Sequence, residues 1–107
     1  MAGVKVVVLY PQPKDAEEFE KLYNEEHLPM AAEKLSGVTK VAITKVLGAP
    51  EGKAPYYKMA EVYYPSMEVL EASLGSEGGK ETAAHAVSIS TGGPPIFLIC
   101  AEEEIVS

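Results

Sequence analysis

Cysteine is nearly absent. The chain of 107 residues carries only Cys100, so no intrachain disulfide can form, which favours a reducing, cytoplasmic setting. Long apolar runs are missing too, and with them any expectation of a membrane span. The first ten residues hold one lysine and no cleavage pattern, so they read as a strand rather than a leader. Positive charge is in deficit: nine lysines and no arginine stand against sixteen acidic residues, for a net charge of −7. Such a surface repels phosphate backbones, which argues against a nucleic-acid partner. The two histidines are far apart, with no HxxxH pair or cysteine cluster, so no metal site is expected. Gly78-Gly79 and Gly92-Gly93 are not a GxGxxG fingerprint, and neither a P-loop nor a nucleophile elbow is present. No cofactor is expected, and a haem would be very large for a chain this short to enclose. Repeats, linkers and low-complexity stretches are missing as well. What remains is 47% apolar residues, too many for disorder, in one domain spanning 1–107.

The stretch richest in chemistry is Tyr23-Asn24-Glu25-Glu26-His27-Leu28-Pro29. Tyr23 and His27 are four residues apart, about one helical turn, so they share a face. Pro29 lacks an amide hydrogen and crowds the carbonyl of Glu25. It also biases Leu28 away from helical angles. The expectation is a break near Leu28 and a second short segment from Pro29 to Leu35, with Gly37 as the stop.

The rest of the chain alternates in type. Val4–Tyr10 is β-branched and apolar on both faces, a covered strand ended by Pro11 and Pro13. Asp15 and Glu18 have capping-box spacing. Phe19, Leu22, Tyr23, His27, Met30 and Ala31 form the buried stripe of the first helix, while Glu17, Glu18, Glu25 and Glu26 mark its wet side. Strands are expected over 38–47, 56–64 and 96–103. A helix capped by Ser66 buries Met67, Leu70 and Leu74. Gly75 to Gly79 interrupts it, and a continuation runs from Lys80 to Ser88 with Ser76 as its cap.

This order, strand–helix–strand–strand–helix–strand, is the α+β, ferredoxin-like βαββαβ pattern with a four-stranded antiparallel sheet. Its helices cover one sheet face. The first and last strands are apolar on both faces, so the other face calls for a partner. A homodimer whose two sheets pack face to face into a barrel is the simplest cover.

With Leu9-Tyr10-Pro11 ending a strand, Tyr23-x-x-x-His27-x-Pro29 in the first helix and Ser76-x-Gly78 before the last, the chain resembles the EthD family of dimeric α+β barrel proteins, linked to ethyl tert-butyl ether degradation. The resemblance implies a pocket between sheet and helices with His27 and Tyr23 looking into it, and it carries an oxidoreductase label. Related dimeric barrels include cyclases, cofactor-free oxygenases, isomerases and haem enzymes. The family often has an acidic residue in the last helix where this chain carries His85, a departure from any acid/histidine pairing there.

On residue chemistry, His27 suits a general base or acid, or a core histidine satisfying carbonyls freed by Pro29. Tyr23 either orients His27, donates to a ligand oxygen, or is core with a polar tip. Tyr10, Met30, Tyr63 and His85 are the candidate ligand-binding residues. Strand-end tyrosines equally serve interfaces, and a helical histidine among alanines equally serves solvent or a cap. Cys100 reads as an inert core thiol, and Met30, Met59 and Met67 as adaptable core filler. The expected partner is a small apolar or aromatic molecule with a carbonyl or phenol oxygen. It is processed by acid/base or oxidoreductase chemistry, or held by a non-catalytic accessory protein of an oxygenase or degradation system. An interaction domain with a filled core is the third reading.

Overall fold

The computed structural model describes residues 3–103; expectations for the first two and last four residues lie outside it. Four strands, β1 (Val4–Pro11), β2 (Lys40–Lys45), β3 (Tyr56–Tyr64) and β4 (Ile96–Ala101), form one sheet in the order β2-β3-β1-β4. Every neighbouring pair is antiparallel. With helices after β1 and β3, this is the ferredoxin-like α+β arrangement the element order predicts. β2 is shorter at both ends than expected and β4 ends at Ala101 rather than Glu103.

Strand alternation sorts the side chains onto two faces. Val6, Val8 and Tyr10 of β1 join Ala60 and Tyr64 of β3 in the core, against Phe19, Tyr23, Leu70, Ala86 and Ile89 from the helical segments. Register places Lys5, Val7 and Leu9 on the opposite face, across from Tyr63, Glu61 and Met59 of β3 and Cys100, Leu98 and Ile96 of β4. Cys100 is therefore half-buried outside the core cluster, not a core thiol. Met67 is exposed, which removes it from the core as well.

The first helical segment, α1 (Ala16–Leu22), starts at Asp15, whose carboxylate accepts the Glu18 amide. It runs on without a break. Tyr23–His27 form a π-helical turn, followed by α2 (Leu28–Lys34). Leu28 keeps helical angles (φ −60°, ψ −45°), contrary to the expected break, and its amide donates to the carbonyl of Tyr23, five residues back. Widening the turn by one residue accommodates the missing amide of Pro29 without leaving helical space.

The last two segments are α3 (Met67–Gly75) and α4 (Glu77–Ile89). α4 begins three residues earlier than expected, with Gly78 and Gly79 inside it. A Cβ at Gly79 would lie 2.1 Å from the Ser73 carbonyl oxygen, and one at Gly78 2.6 Å from that of Lys34. These glycines are where α4 meets α3 and α2 backbone to backbone, not where the helix stops.

Candidate functional site

The π turn sets the site. An extra residue in the turn keeps both Tyr23 and His27 facing the sheet, with exposures of 1% and 7%. Their rings are 5.3 Å apart and inclined by 27°. The Tyr10 ring meets Tyr23 edge-on, 5.6 Å between centroids. Tyr10, not Tyr23, brings its hydroxyl to His27, 3.5 Å from Nε2. On its other side His27 Nδ1 lies 3.0 Å from Nδ1 of His85, and His85 Nε2 lies 3.2 Å from a carboxylate oxygen of Glu26. The solvated or capping position expected for His85 thus gives way to one between His27 and Glu26. Glu26, assigned to the wet side, provides the carboxylate.

A cavity of about 700 Å³ lies between the sheet and the helices, and His85 and Glu26 stand behind its wall without lining it. Tyr10, Tyr23 and His27 line it, as do Tyr64, Thr82 and many aliphatic side chains. No lysine, aspartate or glutamate is among the described residues that line it. Val41, Ile43, Phe97 and Ile99 also line it, yet they remain between 39% and 58% exposed. Apolar surface has therefore not collapsed to fill this space, which runs against a filled core. Met30 is not among the lining residues; it follows Pro29 on α2 and is half-buried away from the space. Tyr63 lies on the other sheet face, where Lys5 and Lys40 sit over its ring. Neither is placed to touch a molecule held beside His27.

Burial fixes the protonation of the site. Removal from water, with the electrostatic effect of the neighbouring His85 as the lesser cause, pushes the pKa of His27 down to about 4. Desolvation raises the pKa of Tyr10, and the nearby Tyr23 adds to it. Tyr23 is raised by desolvation and by the Glu20 carboxylate. At neutral pH the imidazole is thus uncharged and both phenols keep their protons, so the tyrosines act as donors and not as bases.

Sequence reasoning missed a supporting cluster. Lys58 is buried at 6% exposure, with its ammonium 4.4 Å from the Tyr23 ring centre and 2.7 Å from Glu20. The Tyr57 hydroxyl donates to the same carboxylate at 2.7 Å. Burial alone would raise the pKa of Glu20, but the bonds from Lys58 and Tyr57 hold it below the usual range. The available signal was strand parity: Lys58, Ala60, Val62 and Tyr64 fall on one face, so the lysine had to lie under the helix. Among the described residues no group of three or more His, Cys, Asp or Glu is arranged to hold a metal ion.

Comparison with known proteins gives a consistent picture. Residues 11–88 match the EthD domain. An uncharacterised 11.0 kDa protein in the thcB–thcC intergenic region of Rhodococcus erythropolis is 24% identical over 102 residues, covering 95% of this chain and 96% of that protein. The crystal structure of an EthD family protein from Bacillus halodurans C-125 superposes with a TM-score of 0.85 at 29% identity, covering 96% of this chain and 99% of that one. A dimeric ferredoxin-like protein of unknown function from Jannaschia sp. CCS1 shares the fold with a TM-score of 0.65 at 12% identity, covering 92% and 98%.

Proposed function

The chain belongs to the EthD domain family, and from that premise we propose that it binds a neutral, largely apolar or aromatic carbonyl or phenol compound and moves a proton on it with His27. The observation that carries this reading is the pairing of a roughly 700 Å³ cavity without a charged lining residue and one buried, neutral imidazole on its wall. The volume suits a drug-sized molecule. An uncharged wall offers nothing to neutralise a carboxylate or phosphate, so the ligand is uncharged. His27 Nε2 takes a proton from an acidic C–H or O–H bond. The electron pair stays on the ligand as an enolate or phenolate, whose oxygen accepts a hydrogen bond from the Tyr10 or Tyr23 hydroxyl. Return of the proton to another atom completes an isomerisation or cyclisation without a cofactor. The oxidoreductase label of the family finds less support in these residues than proton transfer does.

The protein acts as a homodimer in this proposal. The support is the patch of Val7, Leu9, Ile96 and Leu98 on the sheet face opposite the helices, beside the Lys5–Glu61 pair, and the dimeric state named for the Jannaschia relative. Among the described residues no helix is long and apolar enough to cross a membrane; a cytoplasmic location is proposed on the single cysteine alone.

A thermal-shift screen of neutral carbonyl and phenol compounds, followed by mass spectrometry of the incubated hits, tests the reading. A stabilising compound that is converted by the wild type and left unchanged by folded His27→Ala supports it. Retained conversion in His27→Ala sinks it. A compound that binds and is never converted favours the accessory binding role instead.

A further inference from the structure

We propose that His85 and Glu26 form a proton relay behind His27, fixing the tautomer of the buried ring and carrying charge from the cavity towards solvent. The tautomer assignment stands on geometry alone; the transport role rests on the proton-transfer reading above.

The assignment starts at the outer end. A carboxylate only accepts, so the Glu26–His85 contact requires a hydrogen on His85 Nε2. A neutral His85 then has a bare Nδ1, and that atom faces Nδ1 of His27 at 3.0 Å. Two lone pairs do not meet at such a distance, so His27 carries its hydrogen on Nδ1 and donates it. The His27 and His85 planes are parallel within 9° and their centroids are 5.2 Å apart. The excess of that separation over the nitrogen–nitrogen distance is about two ring radii. The rings therefore meet tip to tip in nearly one plane, the geometry an N–H···N bond needs. Nε2 of His27 is left bare, on the side of Tyr10.

Proton transfer through this arrangement balances. When Nε2 of His27 gains a proton, Nδ1 gives its own to Nδ1 of His85. His27 remains neutral, now with its hydrogen on Nε2, and His85 becomes an imidazolium beside Glu26. The charge then sits on His85, whose side chain is 15% exposed, beside a carboxylate side chain that is 57% exposed, and not on the cavity wall. The reverse exchange returns a proton from Nε2 to the ligand. A ring whose own charged form is strongly disfavoured by burial can thereby still serve as a base. The titratable groups touching the pair are Tyr10 from β1, Tyr23 and Glu26 from the π turn. Lys34 on α2 and Glu81 on α4 pair with each other.

Nitrogen-15 NMR of imidazole-labelled full-length protein tests the relay without any ligand. In the neutral pair, His27 should show a protonated Nδ1 and a bare Nε2, and His85 a protonated Nε2. As the pH is lowered, the first proton should appear on His85 while His27 switches to the Nε2–H tautomer and gains no charge. Glu26→Gln should turn the single His27 tautomer into a mixture, since an amide both donates and accepts. A neutral-state His27 protonated on Nε2, a first proton that makes His27 the imidazolium, or an unchanged single tautomer in Glu26→Gln overturns the proposal. The wild-type spectra decide it even if the variant fails to fold. Absence of conversion in protein that shows the expected tautomers counts against the catalytic reading, not against the relay.

Discussion

Burial of the His27 ring makes stability depend on pH. Its pKa falls from 6.5 to about 4 on folding. Above pH 6.5 the ring is neutral in folded and unfolded chains alike. Below it the unfolded chain binds a proton that the folded ring resists, so stability drops as the pH falls towards 4. The full loss is on the order of 3 kcal/mol. Urea denaturation of wild type and His27→Gln should show this as a difference that changes between about pH 7 and pH 4, the variant being relatively favoured in acid. A constant difference would contradict the burial argument. At this scale the sequence showed His27 and Tyr23 by their spacing, because a helical turn is a local property. It did not show Glu26 with His85 or Lys58 with Glu20, because those contacts join α4 to the π turn and β3 to α1. Glutamates beside the apolar stripe look alike until tertiary packing selects one.

Among the elements, the π turn and the start of α4 both reverse a reading based on helix breakers. Pro29 does remove a hydrogen bond, and the local irregularity was legible. A helix can absorb that loss by enlarging one turn, so the chain direction and the angles of Leu28 persist. Glycine weakens isolated helices, so the pair in α4 predicts an interruption. Here it permits contact with the Ser73 and Lys34 carbonyls. Gly79→Ala should therefore destabilise the fold by about 2 kcal/mol or more, despite the higher helix propensity of alanine. Chemical denaturation reads the effect; a stabilised variant would show that α3 and α4 are not packed so closely. Loss of the Asp15 cap in Asp15→Ala should cost about 1 kcal/mol in the same assay, and no loss would show that α1 does not depend on it.

For the molecule as a whole, the ferredoxin-like α+β class followed from the sequence because the order of strand and helix signals leaves few topologies. The pocket between sheet and helices was expected from the family resemblance alone; its size did not follow from the residues, since it is set by how far the helices stand from β2 and β4. The sheet face of Val7 and Leu9 bears Leu98, which is 44% exposed. A charge there should prevent two sheets from packing: sedimentation at micromolar concentration should give a dimer for wild type and a monomer for Leu98→Glu. A monomeric wild type would refute the dimer. The central claim is that His27 moves a proton on a neutral molecule held in the cavity. The direct measurement is deuterium incorporation from heavy water into a bound carbonyl compound, followed by mass spectrometry with wild type and His27→Gln. The account predicts exchange at the acidic position with wild type and none with a His27→Gln variant that still binds the compound; equal exchange in both proteins would contradict it.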